Sequence, residues 1–329
     1  MAETVLITGA AGFVGAHIVE HLLAETNWNI IALDRLNYAG TLERLAPLKS
    51  ERVRFVYHDF RAAFPPPMVT WLRDVTYIIH NGAETHVDRS LVDPLPFVES
   101  NVLGTMNVLE LARKLRPRLK HVILTSTDEV HGPAPDGVYF KEDAPIRPSN
   151  PYAATKAGAE ALAFAWCRSY QLPVTTTRCM NMFGERQHPE KFVPLVIRNI
   201  LADRVGTYHG GSQLPSRKWL HARNEADAIL FLLRCGWNAI SPLGECETYH
   251  IAGEEHTNIE IVELISKVLG KEPRYVLQDV HSARPGHDLR YSMDDSKIRS
   301  MGWTPPLGFD ESLRRTVEWF ASNPAWLET

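Results

Sequence analysis

Cysteine is scarce in this chain. The four residues, Cys167, Cys179, Cys235 and Cys246, are spaced widely and irregularly over 329 positions. That excludes a disulfide framework and any Cys-x-x-Cys metal or redox motif, and buried free thiols are expected instead. Fourteen histidines are present, but they form no HExxH pair and no ligand cluster, so no metal site is expected. A strong charge of one sign is also lacking. A net charge of -4 argues against nucleic acid or a charged membrane surface as partner. No apolar run approaches the roughly 20 residues that a membrane helix needs. The N-terminus, MAETVLITGA, has no basic stretch and passes directly into a strand pattern, so no signal peptide is expected and a cytoplasmic location is. Repeats and low-complexity segments are absent. With 44% hydrophobic and 22% charged residues, the chain can bury an ordinary globular core.

The first half alternates two kinds of pattern. Apolar, β-branched runs at 4–8, 28–33, 53–57, 75–80, 121–126 and 173–178 read as strands. Helical stretches fall at 12–25, 93–115 and 151–170. Continuous apolar strands separated by helices predict a parallel sheet covered on both faces, a doubly wound α/β fold of Rossmann type. The pattern loosens after about residue 180, although helices are predicted at 225–233 and, after the start signal Thr257-Asn258, at 259–269. Residues 1–180 are therefore expected to form the nucleotide-binding domain. Residues 181–329 mainly form a smaller lobe, with the segments around 217–250 returning to the sheet.

Thr8-Gly9-Ala10-Ala11-Gly12-Phe13-Val14-Gly15 places three glycines between the first strand and the first helix. Gly9, Gly12 and Gly15 allow a tight turn and close backbone approach. The N–H groups of Phe13 and Val14 at the helix start favour a pyrophosphate. Nineteen residues past Gly15, Asp34 ends the second strand, where a carboxylate accepts from ribose hydroxyls and repels a 2'-phosphate. NAD is therefore the expected cofactor, although Arg35 next door could soften the exclusion of NADP. Asp59, closing the third strand, either accepts from the adenine amine or caps a loop.

Tyr152 and Lys156, one turn apart, open a predicted helix just after Pro151. The Lys156 ammonium is expected to lower the tyrosine's pKa and to hold the nicotinamide ribose, leaving Tyr152 as a general base for hydride transfer. Upstream, Ser126-Thr127-Asp128-Glu129-Val130 lies at the C-terminal end of a strand, at the crevice where parallel α/β sheets bind ligands. Thr127 can bond the same substrate oxygen as Tyr152. Adjacent carboxylates there suit elimination of water, one group protonating a leaving hydroxyl while the other takes a proton from the neighbouring carbon.

Around these residues the chain resembles the dTDP-glucose 4,6-dehydratase branch of the extended short-chain dehydrogenase/reductase family. The likeness covers almost its whole length. It is carried by Asp34-Arg35-Leu36-Asn37-Tyr38-Ala39-Gly40, by Ala83-Glu84-Thr85-His86-Val87-Asp88-Arg89-Ser90 and by Asn101-Val102-Leu103-Gly104-Thr105. Ser126–Val130, Pro189-Glu190-Lys191 and Arg284-Pro285-Gly286-His287-Asp288 complete it. The resemblance implies a nucleotide-hexose substrate and a NAD-dependent 4,6-dehydration. Tyr152, with Thr127 and Lys156, would take the proton of the 4-hydroxyl. Glu129 would take the C5 proton, Asp128 would protonate the departing 6-hydroxyl, and the hydride would return to C6. The resemblance also places Arg217 and Arg284 on the diphosphate, helped by Asn181 and Lys191. It sets Tyr208 against the base, and Glu84 and His86 near the sugar, with His287 in the same substrate-binding set. Helices 93–115 and 151–170 would pair between two copies of the chain, giving a homodimer through a helix bundle. The face Ala157, Ala161, Phe164 and Ala165 could equally be internal core.

Some positions depart from the family pattern. Asn181-Met182-Phe183-Gly184 replaces Asn-Asn-Tyr-Gly, His131 replaces a tyrosine, and Asn81-Gly82 replaces small apolar residues. The catalytic set is intact while the nucleotide-sugar pocket is altered, so a UDP-sugar remains an alternative to dTDP-glucose. Other readings are a nucleotide-sugar epimerase, a dehydratase releasing a 5,6-ene, and, more remotely, a non-catalytic nucleotide-binding regulator.

Overall fold

The computed structural model describes residues 2–209, 216–241, 245–278 and 290–328. Its centre is a seven-stranded parallel sheet of β1 (Thr4–Thr8), β2 (Asn29–Asp34), β3 (Val53–Tyr57), β4 (Tyr77–His80), β5 (His121–Thr127), β6 (Val174–Cys179) and β10 (Glu247–Ile251), in the order β10-β6-β5-β4-β1-β2-β3. The expected strands therefore form, each within a few residues of its predicted ends.

The two faces of the sheet are buried separately. On β1, Val5 and Ile7 pack with Ile18 and Leu22 of the helix Phe13–Glu25 and with Ile229 and Leu233 of the helix Ala222–Cys235. Leu6 points the other way, toward Val108 and Leu111 of the helix Gly104–Leu115 and Ala159 and Ala163 of the helix Pro151–Tyr170. This alternation is why β1 and β5 read as unbroken apolar runs. Each such Leu or Ile contributes ~1.5–3 kcal/mol by burial. The polar run of β6 is also buried and is matched partner by partner. Thr175 meets His121 (2.8 Å), Thr177 meets Glu225 (3.2 Å) and Arg178 meets Glu160 (2.8 Å).

The chain leaves the sheet after β6 and builds a lobe. There β7 (Asn181–Phe183), β9 (Ser216–His221) and β11 (Glu254–Thr257) form a three-stranded sheet. β8 (Gly206–His209) pairs with β12 (Tyr275–Gln278). Helices Phe192–Leu201, Asn258–Leu269 and Phe309–Ser322 close a core around Phe183, Ile197, Ile261 and Phe320. Thr257 caps its helix in a box with Glu260, as its position suggested. Between the two visits to the lobe, the helix Ala222–Cys235 and β10 return to the large sheet, while β9 stays in the lobe.

The helix expected over 93–115 differs in detail. Pro94 delays its start to Leu95, and Val98–Leu103 winds as a π-helix before Gly104–Leu115 resumes α geometry. Local pattern does not mark such a bulge, because the wider turn is stabilised by tertiary partners. None of the four cysteines is in a disulfide; Cys167 and Cys179 are buried, Cys235 and Cys246 only partly. Among the described residues, no helix is long and apolar enough to cross a membrane.

Candidate active site

A cleft runs over the C-terminal ends of β1, β2, β5 and β6, and the lobe closes its far side. Gly9, Gly12, Phe13, Val14 and Asp34 line one part of it. Thr127, Asp128, Glu129, Tyr152 and Lys156 line another. Glu84, Asn181 and Lys191 contribute further wall.

The glycine loop has the shape that a dinucleotide needs. Gly9 has φ +68°, and a Cβ there would stand 2.6 Å from the Cα of Gly82 on the adjoining loop. A Cβ on Gly15 would lie 2.0 Å from the Gly9 carbonyl oxygen. Gly12 caps the first helix with no side chain satisfying its N–H groups, so these are left for an anion. Asp34 is buried and fixed. Its Oδ2 accepts from Ala11 N (2.9 Å) and its Oδ1 from Leu36 N (2.8 Å). These residues fit NAD.

The catalytic candidates converge. Thr127 ends β5, and its Oγ1 donates to Asp128 Oδ1 (3.0 Å), accepts from Glu129 N (3.4 Å) and is hydrogen-bonded to the Tyr152 phenol. Asp128 and Glu129 begin a 3-10 turn, Asp128–His131. Burial, with the adjacent Glu129 charge, pushes the Asp128 carboxyl up to about 7, against the Thr127 hydrogen bond and the Arg217 charge. Its Oδ2 is buried without a hydrogen-bond partner, as are the hydroxyls of Thr125 and Ser126 close by. Glu129 Oε2 instead accepts from Asn150 Nδ2 (3.0 Å). Asn150 is also the N-cap of the Tyr152 helix, its Oδ1 accepting from Ala153 N (2.8 Å). One side chain thus ties Glu129 and the helix together.

The Tyr152–Lys156 relationship differs from expectation. Lys156 Nζ donates to the Thr125 carbonyl (2.6 Å), and burial brings its pKa down to about 8. Burial first, then the Glu129 charge, raises Tyr152 well above 10. Loss of hydration and two neighbouring carboxylates outweigh whatever the lysine contributes.

Other expected site residues are placed differently. Tyr208 is 3% exposed, packed against Phe192 and Tyr275 in the lobe core, and so presents no face to a base. Phe192 and Trp219 are the lobe aromatics on the cleft wall. Glu84 was expected at the sugar. Its carboxylate instead holds Arg35 and accepts from Asn37 Nδ2 (2.9 Å), at the Asp34 end. Asp59 is gripped by Arg61 (2.7 Å) and approached by Arg35 (3.5 Å), and it stands outside the cleft lining. His86 faces Glu190 of the lobe (3.7 Å). Arg217 lies over the Tyr291 ring at 4.7 Å, close enough to act on Asp128. Arg284 and His287 lie outside the described residues.

Two positioning residues escaped the sequence reading. Asn150, just before Pro151, carried a legible signal, since Asn is a favoured N-cap. Asn101, in the π-helix, accepts from Glu84 N (2.8 Å) and donates to the Glu84 carbonyl (2.9 Å) and to Thr155 (3.0 Å). Its motif was visible but its role was not.

Residues 6–316 match the family described as GDP-mannose 4,6 dehydratase. The chain belongs to that family. Within the dehydratase family, it is 38% identical to a dTDP-glucose 4,6-dehydratase of Mycolicibacterium smegmatis, over 98% of this chain and 94% of the relative. The crystal structure of DesIV, a dTDP-glucose 4,6-dehydratase from Streptomyces venezuelae with NAD and TYD bound, superposes with a TM-score of 0.87 at 39% identity, covering 99% of both chains. A UDP-glucose 4-epimerase of Thermus thermophilus in complex with NAD superposes at 0.82 with 29% identity, covering 97% of this chain and 99% of its own. The Rossmann fold, NAD as cofactor and nucleotide-sugar 4,6-dehydratase chemistry, all expected from the sequence, are borne out.

Proposed function

We propose that this dehydratase acts on dTDP-glucose, converting it to the 4-keto-6-deoxy sugar nucleotide. The observation that carries the dehydration is Asp128. It is buried, its pKa stands near 7, and it shares one turn with Glu129 in front of Tyr152. A carboxyl that still holds its proton about half the time at neutral pH, beside a carboxylate held by Asn150, is an acid–base pair suited to expelling water.

The glycine loop and Asp34 would hold NAD, with Lys156 at its nicotinamide ribose. The cofactor supplies hydride acceptance at C4 and hydride return at C6. Tyr152 takes the proton of the 4-hydroxyl, and Thr127 fixes the phenol by its hydrogen bond. The phenol's raised pKa makes the positive charge of Lys156, one turn away, necessary for that step. Glu129 removes the C5 proton, and Asp128 delivers its own to the leaving 6-hydroxyl. Asn181, Lys191, Arg217 and Arg284 serve the diphosphate. His86 and His287 remain assigned to the substrate on the resemblance.

The thymine preference rests on the dTDP-glucose dehydratases that the chain resembles along its length. The protein works as a cytoplasmic homodimer. Leu95, Val98, Leu103 and Phe164 are exposed on two neighbouring helix segments, so the apolar face is not internal core.

Incubation with dTDP-, UDP-, GDP- and CDP-hexoses, followed by product mass, tests the reading. Loss of one water from dTDP-glucose without net NADH is expected. Unchanged mass with altered stereochemistry would make the protein an epimerase. Loss of one water with the hydride returned to C4 instead of C6, read from an alkene signal in the product's NMR spectrum, would make it a 5,6-ene-forming dehydratase.

A further inference from the structure

Position 35 raises a question of cofactor choice. An arginine directly after the acid that ends β2 is the residue type that receives a 2'-phosphate, so Asp34-Arg35 alone sends opposed signals. In the structure the arginine is already engaged. Its Nη2 is bound by Glu84 Oε1, and its Nη1 lies 3.5 Å from Asp59 Oδ2. Glu84 is buried and doubly fixed. Its carboxylate also accepts from Asn37 Nδ2 (2.9 Å), in the loop that follows Asp34, and Asn101 holds its main chain through both N–H and C=O. Asp34 keeps its own hydrogen bonds to Ala11 and Leu36 and does not pair with Arg35.

We infer that Glu84 is a cofactor-specificity residue that acts through Arg35. It rests on the assignment of NAD and explains how this chain tolerates an arginine beside the adenine ribose. A guanidinium with carboxylates at both terminal nitrogens has little charge left for a phosphate. Asn101, through the π-helix, keeps the restraint in place.

The test is equilibrium displacement of bound NAD+ by NADP+ from the full chain, which yields the ratio of their dissociation constants. Glu84→Gln removes the charge and keeps the size, the acceptor for Asn37 and the main-chain bonds to Asn101. The NADP+/NAD+ ratio of dissociation constants is expected to fall about tenfold, the scale of one charge-assisted hydrogen bond regained. It should return to the wild-type value in Glu84→Gln/Arg35→Met. An unmoved ratio in Glu84→Gln overturns the inference, as does a fall that persists without Arg35. Asp59→Asn, which removes the other partner of Arg35, should shift the ratio in the same direction; it carries the test if Glu84→Gln does not fold, and an unmoved ratio there overturns the inference too. Wild-type NAD+ binding in the same titration separates a wrong cofactor from a wrong role for Glu84.

Discussion

Replacing Asp128 by asparagine should stabilise this protein above pH 7, and its effect should shift in favour of the variant as pH rises. The carboxyl is 5% exposed, and its folded pKa is about 7 against an ordinary value of 3.8. Between those values the unfolded chain has released the proton while the folded chain still holds it. The unfolded state binds fewer protons, so stability falls as pH rises from about 4 to about 7. Three units at 1.36 kcal/mol each set the cost at about 4 kcal/mol once pH exceeds 7, and roughly 2–3 kcal/mol of it develops between pH 5 and pH 8. The substituted amide keeps an oxygen for the Thr127 hydroxyl and has no charge to desolvate. Its nitrogen, standing where Oδ2 now lacks a partner, carries a penalty of about 1–3 kcal/mol, but that penalty does not depend on pH. The informative quantity is therefore the pH slope of the difference. Urea unfolding of wild type and Asp128→Asn at pH 5 and pH 8 measures it. A gap that widens in favour of the variant by some 2–3 kcal/mol is expected. A gap constant with pH would mean that Asp128 is ionised in the folded protein, and its role as the acid would fall.

Arg178→Met should cost about 3–5 kcal/mol, because it strands the Glu160 carboxylate, 7% exposed, without its 2.8 Å partner. Chemical denaturation measures the loss, and Arg178→Met/Glu160→Gln should recover much of it. Phe164→Glu places a charge on the exposed helix face and should halve the mass seen by sedimentation equilibrium, from a dimer to one 37.1 kDa chain; an unchanged mass would remove that face from the interface.

The parallel sheet was legible because burial on two faces writes the strands as unbroken apolar runs. Val5, Leu6 and Ile7 look alike in sequence although they serve opposite cores. The cleft was legible where chemistry depends on neighbours in the chain. Thr127, Asp128 and Glu129 occupy one turn, Tyr152 and Lys156 adjacent turns of one helix, and Gly9, Gly12 and Gly15 one loop. Reading failed where partners come from far away. Tyr208 is a large aromatic near the cleft by sequence, but helix Phe192–Leu201 and β12 cover it. Glu84 lies in a motif that suggested the sugar, yet Arg35 and Asn37, nearly fifty residues earlier, take its carboxylate.

By itself, then, the sequence determined the fold class, the cofactor loop and the set of candidate catalytic side chains. Period, glycine spacing and short-range geometry are properties of adjacent residues. Only the tertiary structure decided the charge states and the wiring. Asp128 is an acid near 7 and Tyr152 a reluctant one because both are enclosed by elements distant in the chain and have lost their water. Asn150 joins the catalytic helix to Glu129, 21 residues away. Asn101 joins Glu84 to Thr155, 17 and 54 residues from itself, by hydrogen bonds that no local pattern announces.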